Sequence, residues 1–372
     1  MNESSILNRL HDTMGEMGIE ALVTASPENF GYINGLVVPS QPLMRWRHAL
    51  TILQSNGERT VIVVDMEQST VTKNLSGVEV LAWGEFTDRP MEVLAGTLAD
   101  LGLSRASIAL EMDYLPAGDY LELARLLPDV NWSSCEQMLA RQRQIKTPDE
   151  VALLRRLSRI SDQSIRDAYH SVTIGDSEMD IAAALTRGVF TLGAENFKLM
   201  IVATGYRSQF PNVGPSERRL EAGDICRVEI FSMLNGYHAG VCRTAMVKSA
   251  PPEAERIWAH LHEAKLLVLD MAKPGTSTRA IYEAFIAHLN KLGLPAIKFI
   301  GHGIGLHLHE EPYLGMYSDQ PLEAGMVLGV EPLVYETGYG FGMQNKDMIL
   351  ITENGCELLS DVSDTECLTR VV

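Results

Sequence analysis

The densest chemical signal in the chain is GHGIGLHLHEEP (301–312), in which His302 and His309 stand seven residues apart in a segment holding Gly301, Gly303 and Gly305. Glycines let backbone approach closely, and a pair of imidazoles supplies ligands or proton carriers near neutral pH. A third histidine, His307, an acidic pair and Pro312 make this a functional loop rather than a stretch of surface histidines. In GMVLGVEPLVY (325–335), Glu331 interrupts an apolar, β-branched run. A carboxylate buried there needs a cation, a metal or a hydrogen-bond donor, or else a plain structural ion pair. In ICRVEIFSMLNGYHAGVCRTAM (225–246), Glu229 again sits among apolar residues and Arg243 offers a cation near the end of a hairpin. In FGMQNKDMILIT (341–352), Lys346 and Asp347 open an apolar strand, where charges are most often solvated.

These segments must be brought together by regular elements. The spacing of Ile6, Leu10, Met14 and Met17 predicts a helix over residues 1–17, closed by Gly18. IEALVTA, ALTILQS, TVIVVD and VEVLAW read as strands, SPENFGYINGL as a loop, and 89–102 and 117–127 as helices. From TPDEVALL onward a long amphipathic helix starts at Thr147 or Asp149. Helices near 178–192, 252–272 and 277–292 follow, with strands around 198–204, 224–234, 239–248, 326–335 and 345–352 and a Gly/His loop at 299–309.

The chain has 372 residues, 46% of them hydrophobic, which exceeds what one core usually organises; two domains are expected, 1–140 and 141–372. Its net charge of −17 disfavours a phosphate backbone, so no nucleic-acid partner is expected. Five scattered cysteines without zinc-type spacing read as reduced thiols. No signal-peptide pattern or apolar span appears, so a cytoplasmic protein without membrane association is expected.

The order of motifs resembles the pita-bread superfamily of aminopeptidase P, prolidase and creatinase. IKTPDEVALLRRLSRISD is similar to the helix that opens the pita-bread domain. GYRSQFPN, EAGDICRVEIFSMLNGYHAGVCRT, GHGIGLHLHE, EAGMVLGVEP and NKDMILIT resemble the motifs that follow. SPENFGYINGL is similar to the N-terminal domain of prolidases and creatinases. The resemblance implies an α/β (α+β) chain, with a small N-terminal domain of creatinase/prolidase type before a C-terminal pita-bread domain. It also implies a homodimer, with the N-terminal domain of one chain near the active site of the other.

Metal-dependent members of that superfamily hold two ions with two Asp, one His and two Glu. Carried over by position, these fall on Glu229, Gly240, His302, Glu331 and Lys346, so two ligands are missing. The hairpin GYHAGVCRT is similar to that of creatinase, which with ectoine hydrolase represents a metal-free branch cleaving C–N bonds in small polar molecules. Asn212 stands where relatives carry a histidine, and Cys242 where creatinase has a glutamate. Cys242 is either a nucleophile or a buried thiol. Arg45, Trp46 and Arg47 lie at about the place from which creatinase-like dimers supply an arginine and an aromatic residue to a substrate carboxylate.

The preferred reading is therefore a hydrolase of a C–N bond (amide, amidine or guanidino type) in a small carboxylate-bearing substrate, creatinase- or ectoine-hydrolase-like, without metal or other cofactor. His302 and His309 carry protons and Glu331 and Glu229 position water or substrate. Lys346, Arg45, Trp46, Arg47, Asn212, Cys242 and Tyr237 bind substrate. One alternative is an Xaa-Pro peptidase-like metallohydrolase with a reduced site, one Mn, Fe or Zn ion on Glu229, His302 and Glu331. The other is a pita-bread protein that binds a partner without catalysis.

Overall fold

The computed structural model describes residues 3–372, and the chain divides into two compact units, Met1–Arg143 and Gln144–Val372. The first unit begins with α1 (Glu3–Met17), β1 (Ala21–Thr24), α2 (Pro27–Asn34), β2 (Leu50–Gln54), β3 (Arg59–Val64) and α3 (Asp65–Asn74). It continues with β4 (Glu79–Trp83), α4 (Pro90–Asp100), β5 (Ser107–Leu110), α5 (Ala117–Leu126), β6 (Asn131–Ser134) and α6 (Glu136–Gln144). Its strands form one mixed sheet in the order β4-β3-β2-β1-β5-β6, with β1 antiparallel to β2 and parallel to β5. Ile6, Leu10 and Met14 are buried, but Met17 is 57% exposed because the helix ends there, at Gly18 with φ 65°. Residues 1 and 2 of the expected helix lie outside the described residues.

The segment expected as the loop SPENFGYINGL contains a helix instead. The Ser26 side chain accepts from Asn29 N, Pro27 occupies the first turn, and Gly35 at φ 64° closes α2. Serine and proline are start signals and glycine a stop signal, so eight helical residues fit between them despite the internal Asn and Gly.

The second unit starts with α7 (Pro148–Ser171), α8 (Glu178–Thr191), β7 (Asn196–Thr204), β8 (Ile225–Leu234), β9 (Tyr237–Val247), α9 (Pro252–Met271) and α10 (Thr278–Lys291). Then come β10 (Phe299–Gly303), β11 (Glu310–Gly315), β12 (Val327–Val330), β13 (Leu333–Val334), β14 (Met343–Gln344), β15 (Asp347–Ile351), β16 (Cys356–Leu358) and β17 (Thr369–Val371). Two larger sheets result, ordered β17-β9-β8-β7 and β11-β10-β12-β15-β16. The hairpin β8–β9 turns on Asn235 and Gly236, both at positive φ, as a two-residue hairpin turn requires. Thr147 starts α7 in a reciprocal capping box with Glu150.

Two expectations change here. The Gly/His stretch at 299–309 is not all loop: Phe299–Gly303 is a strand paired on both sides, so His302 sits on a rigid element. The strand expected over 326–335 stops at Val330, and Glu331-Pro332 separates it from β13 in another sheet, since proline cannot donate to a ladder.

Charges expected to be solvated at the start of β15 are buried. Arg243 on β9 donates through Nε to Asp162 Oδ1 of α7 at 3.0 Å and through Nη2 to Asp347 Oδ1 at 2.7 Å. Lys265 of α9 donates to Asp347 Oδ2 at 2.9 Å, and the Ser360 hydroxyl donates to Asp347 Oδ1 at 2.8 Å. Burial alone would raise the Asp347 carboxyl, but Arg243 and Lys265 outweigh it and hold it at about 2. This network ties α7, α9, β9 and β15 together. Asp347→Ala leaves two buried cations short of a partner, and its urea unfolding is expected to show a loss of about 3–5 kcal/mol.

Candidate active site

Four side chains of the second unit converge on one point, and that point is the Lys346 ammonium. Its Nζ lies 3.2 Å from Glu229 Oε1, 3.2 Å from Glu331 Oε2 and 3.1 Å from His302 Nε2. The Phe231 ring forms a fourth wall, with its centroid 4.4 Å from Nζ. Lys346 and His302 are buried, and Glu229 and Glu331 nearly so. A charge this deep is tolerable only with partners on all sides.

The partners arrive from three places in the sheets. Glu229 comes from β8, and Phe231 follows two residues later on the same face. His302 comes from β10, directly opposite Gly329 of β12. A Cβ built on Gly329 would stand 3.1 Å from Lys346 Cε and 3.5 Å from His302 Cε1, so glycine leaves room for the lysine stem. Glu331 follows β12, its N–H donating to Ile300 O at 2.8 Å. Lys346 precedes β15 and is fixed by paired backbone bonds with Cys242 of β9 and by Arg243 Nη1 donating to its carbonyl at 2.7 Å.

The protonation states follow from these contacts. Burial would lower the Lys346 ammonium, but Glu331 and Glu229 overcome it and its pKa ends above the ordinary lysine value. Burial, then the nearby ammonium, push His302 well below the ordinary histidine value. Its Nδ1 lies 2.8 Å from Gly303 O and donates to it, which leaves the Nε2 lone pair facing Lys346. The His309 ring stacks on His302 at 3.7 Å between centroids, and its outer part reaches solvent. Partial burial and then Lys346 lower its pKa to about 4. Glu331 is raised, first by burial and also by Glu229, with Lys346 opposing. Gln344 Nε2 donates to Glu331 Oε2 at 3.1 Å, whereas Glu331 Oε1 is buried with no hydrogen-bond partner.

The other residues singled out in the sequence do not join this centre. Cys242 is fully buried and its thiol is pushed well above the ordinary value by burial, which removes it as a nucleophile. Tyr237 is buried and donates to Glu150 Oε1 at 2.8 Å, supporting the start of α7 rather than a substrate. Asn212 is exposed, beyond the carbonyls of Phe210 and Pro211 that accept from Arg227. Arg47 is engaged by both oxygens of Glu85, and Arg45 donates to Tyr114 O at 2.9 Å; Trp46 between them is 64% exposed. All three belong to the first unit.

Sequence reasoning missed Phe231, Arg227, Gln344 and Gly329. Arg227 lies 4.0 Å from Glu229 Oε2, packs on the Tyr335 ring and donates to Gln344 Oε1 at 3.1 Å. An arginine inside the apolar run ICRVEIF was the available signal for it. Phe231 pairs with Gly240 across the hairpin, and a Cβ on Gly240 would meet the Phe231 ring at 2.3 Å. The ring therefore fills the space of the carboxylate missing at position 240.

As a metal site, this set does not fit two ions: position 240 has no ligand and Lys346 carries a positive charge. Glu229, His302 and Glu331 are donors suited to one ion in type, with one lone pair and two carboxylates turned to a single point. Their spacing of 3.1–3.2 Å from that point is an ammonium's, against about 2.0–2.2 Å for metal bonds. With Arg227 and Lys346 facing Glu229 and Glu331 the formal charges cancel, so an ion and the protonated lysine contend for the same donors.

The profile of metallopeptidase family M24 matches residues 152–353, and that of the creatinase/prolidase N-terminal domain matches residues 6–145. An Xaa-Pro dipeptidase of Pyrococcus furiosus is 27% identical over 357 residues, covering 95% of this chain and 97% of that protein. The solved dipeptidase PepE of Mycobacterium ulcerans is 26% identical with a TM-score of 0.85, covering 99% of this chain and 98% of that one. An X-Pro aminopeptidase of Thermotoga maritima, 24% identical with a TM-score of 0.87 over 98% of this chain and 99% of that one, shares the fold. These findings overturn the expectation of a metal-free creatinase- or ectoine-hydrolase-like enzyme needing no cofactor, because the matched family is one of metallopeptidases and the relatives are named for Xaa-Pro dipeptides. No helix among the described residues is long and apolar enough to cross a membrane. From the strand-borne centre of its second unit to the domain that precedes it, the chain belongs to metallopeptidase family M24.

Proposed function

We propose that this chain hydrolyses the C–N bond of Xaa-Pro-type dipeptides at the centre formed by Glu229, His302 and Glu331, with one divalent ion. The observation that carries the reading is the convergence of these three donors on a single cation position beside the solvent-reaching His309. The end-to-end likeness to proteins named Xaa-Pro dipeptidase supports the choice of substrate.

Glu229, His302 and Glu331 would hold the ion, which would supply Lewis-acid polarisation of the scissile carbonyl. The remaining work falls to the chain. His302 stays neutral with its Nε2 lone pair directed inward, because Nδ1–H is held by Gly303 O. Glu331 Oε1 has no hydrogen-bond partner and the carboxyl a raised pKa, so it takes the proton of the attacking water and returns it to the departing nitrogen. His309, neutral above about pH 4, stacks on the His302 ring and forms the solvent side of the site. Phe231 and the buried strands keep bulk water from the ammonium side of the site.

Three outcomes test this account. Purified protein loaded with Mn²⁺ is expected to release proline from a panel of Xaa-Pro dipeptides, to stop when chelated, and to slow by roughly 10²–10⁴-fold in Glu331→Gln. Absence of turnover across the panel with metal present would sink the proposal. Lys346→Ala removes the competing ammonium, so calorimetric titration is expected to show Mn²⁺ affinity at this site rising by about tenfold or more, roughly 1.4 kcal/mol. Stability should fall on acidification: an unfolded histidine takes up its proton near 6.5 and folded His309 only near 4, so between these values unfolding binds protons. Urea midpoints at pH 7 and pH 5 should differ more for the wild type than for His309→Gln.

A further inference from the structure

A second cluster of ligand-type side chains lies on the helix pair α9–α10. His260 and Glu263 are one turn apart on α9, and His288 faces them from α10. Glu263 Oε2 stands between the imidazoles, 3.4 Å from His260 Nδ1 and 3.7 Å from His288 Nε2, and the three ligand atoms all lie within 4.8 Å of one another. Among the described residues this is the one His/Cys/Asp/Glu group so closely spaced.

The distances decide what such a group can hold. A tetrahedral zinc ion with bonds of about 2.0–2.1 Å separates its ligand atoms by about 3.4 Å. Two of the three separations here are already at or near that value. A carboxylate merely salt-bridged to one histidine would leave the other ring free to find its own partner. Instead, His288 Nε2 is shielded from water and has no hydrogen-bond partner, with Glu263 Oε2 3.7 Å away. Such an atom is costly to leave unmade, and a cation between the three groups would satisfy it.

The scaffold is already rigid. Ile257, Leu261 and Ala264 of α9 and Ile281, Phe285 and Leu289 of α10 are buried in one apolar cluster, so both helices are held in place beneath the polar groups. Two imidazole nitrogens and one carboxylate are borderline donors, suited to Zn²⁺, Ni²⁺ or Cu²⁺ and poorly suited to Mg²⁺ or Ca²⁺. We infer that His260, Glu263 and His288 form a transition-metal site, with zinc as its natural probe, that clamps α9 to α10 and leaves a fourth position for water. It shares no residue with Glu229, His302 and Glu331, so it stands independently of the peptidase reading.

The test is calorimetric titration of ZnCl₂ into chelator-stripped full-length protein carrying Glu331→Gln, which takes one carboxylate donor from the other centre and leaves the Lys346 ammonium there to oppose an ion. One zinc site is expected there, weakened at least tenfold by a further His288→Ala or Glu263→Gln, since even outer partners of metal ligands contribute roughly 10–100-fold. Zinc should also raise the thermal midpoint of Glu331→Gln and leave that of the Glu331→Gln, His288→Ala double variant unmoved. If His288→Ala fails to fold, His260→Ala, altered on the outer turn, provides the same reading. Absence of a zinc isotherm in Glu331→Gln, or one that neither histidine substitution weakens, would overturn the inference.

Discussion

One buried ammonium organises the second unit. Lys346 is held by two carboxylates, an imidazole lone pair and an aromatic face, and each of these is on a strand or at a strand end whose position the ammonium requires. Taking a lysine out of water costs several kcal/mol unless its neighbours supply opposite charge, so the pairs cannot be removed one at a time without leaving a bare charge behind. The same constraint explains Gly329, whose missing side chain makes room for the lysine stem, and Phe231, whose ring closes the space opposite Gly240.

The support beneath the centre is electrostatic as well. Residue 347 points into the network of Arg243, Asp162 and Lys265, while residue 346, next in the chain, points the other way toward Glu229 and Glu331. Successive side chains of extended backbone face opposite directions, so one charged pair of neighbours serves two buried networks. Arg243 joins them through the Lys346 carbonyl. This tight coupling gives the chemical centre its rigidity, in the way that ligand-binding groups on strands are held more firmly than those on loops.

Much of the architecture was legible in the sequence, for identifiable reasons. The apolar alternation of TVIVVD and the Asn-Gly turn of the long hairpin are local signals, and local signals decide β3 and the β8–β9 turn. Thr147 followed by Glu150 at the start of α7 is another. The failures share a cause too. Ser26-Pro27 and Gly35 carried helix signals that the Asn and Gly between them obscured, and the strand containing His302 is recognisable only when its neighbours β11 and β12 are known.

By itself the sequence determined which groups were available: an odd carboxylate in each of two apolar strands, paired histidines among glycines, a lysine and a glycine where metal ligands stand in related chains. Set against the ligand positions of those chains, two of the five ligands of a two-ion set are absent. Only the tertiary structure decided where these groups go, because burial, pairing and protonation depend on segments more than a hundred residues apart meeting at one point. The Asp347 charge that looked solvated, the Cys242 thiol that was open between nucleophile and buried thiol and the Tyr237 hydroxyl that looked available each take their surroundings from elsewhere in the chain. The reason is physical: a side chain's chemistry is set by the dielectric and the partners around it, and a linear string states neither.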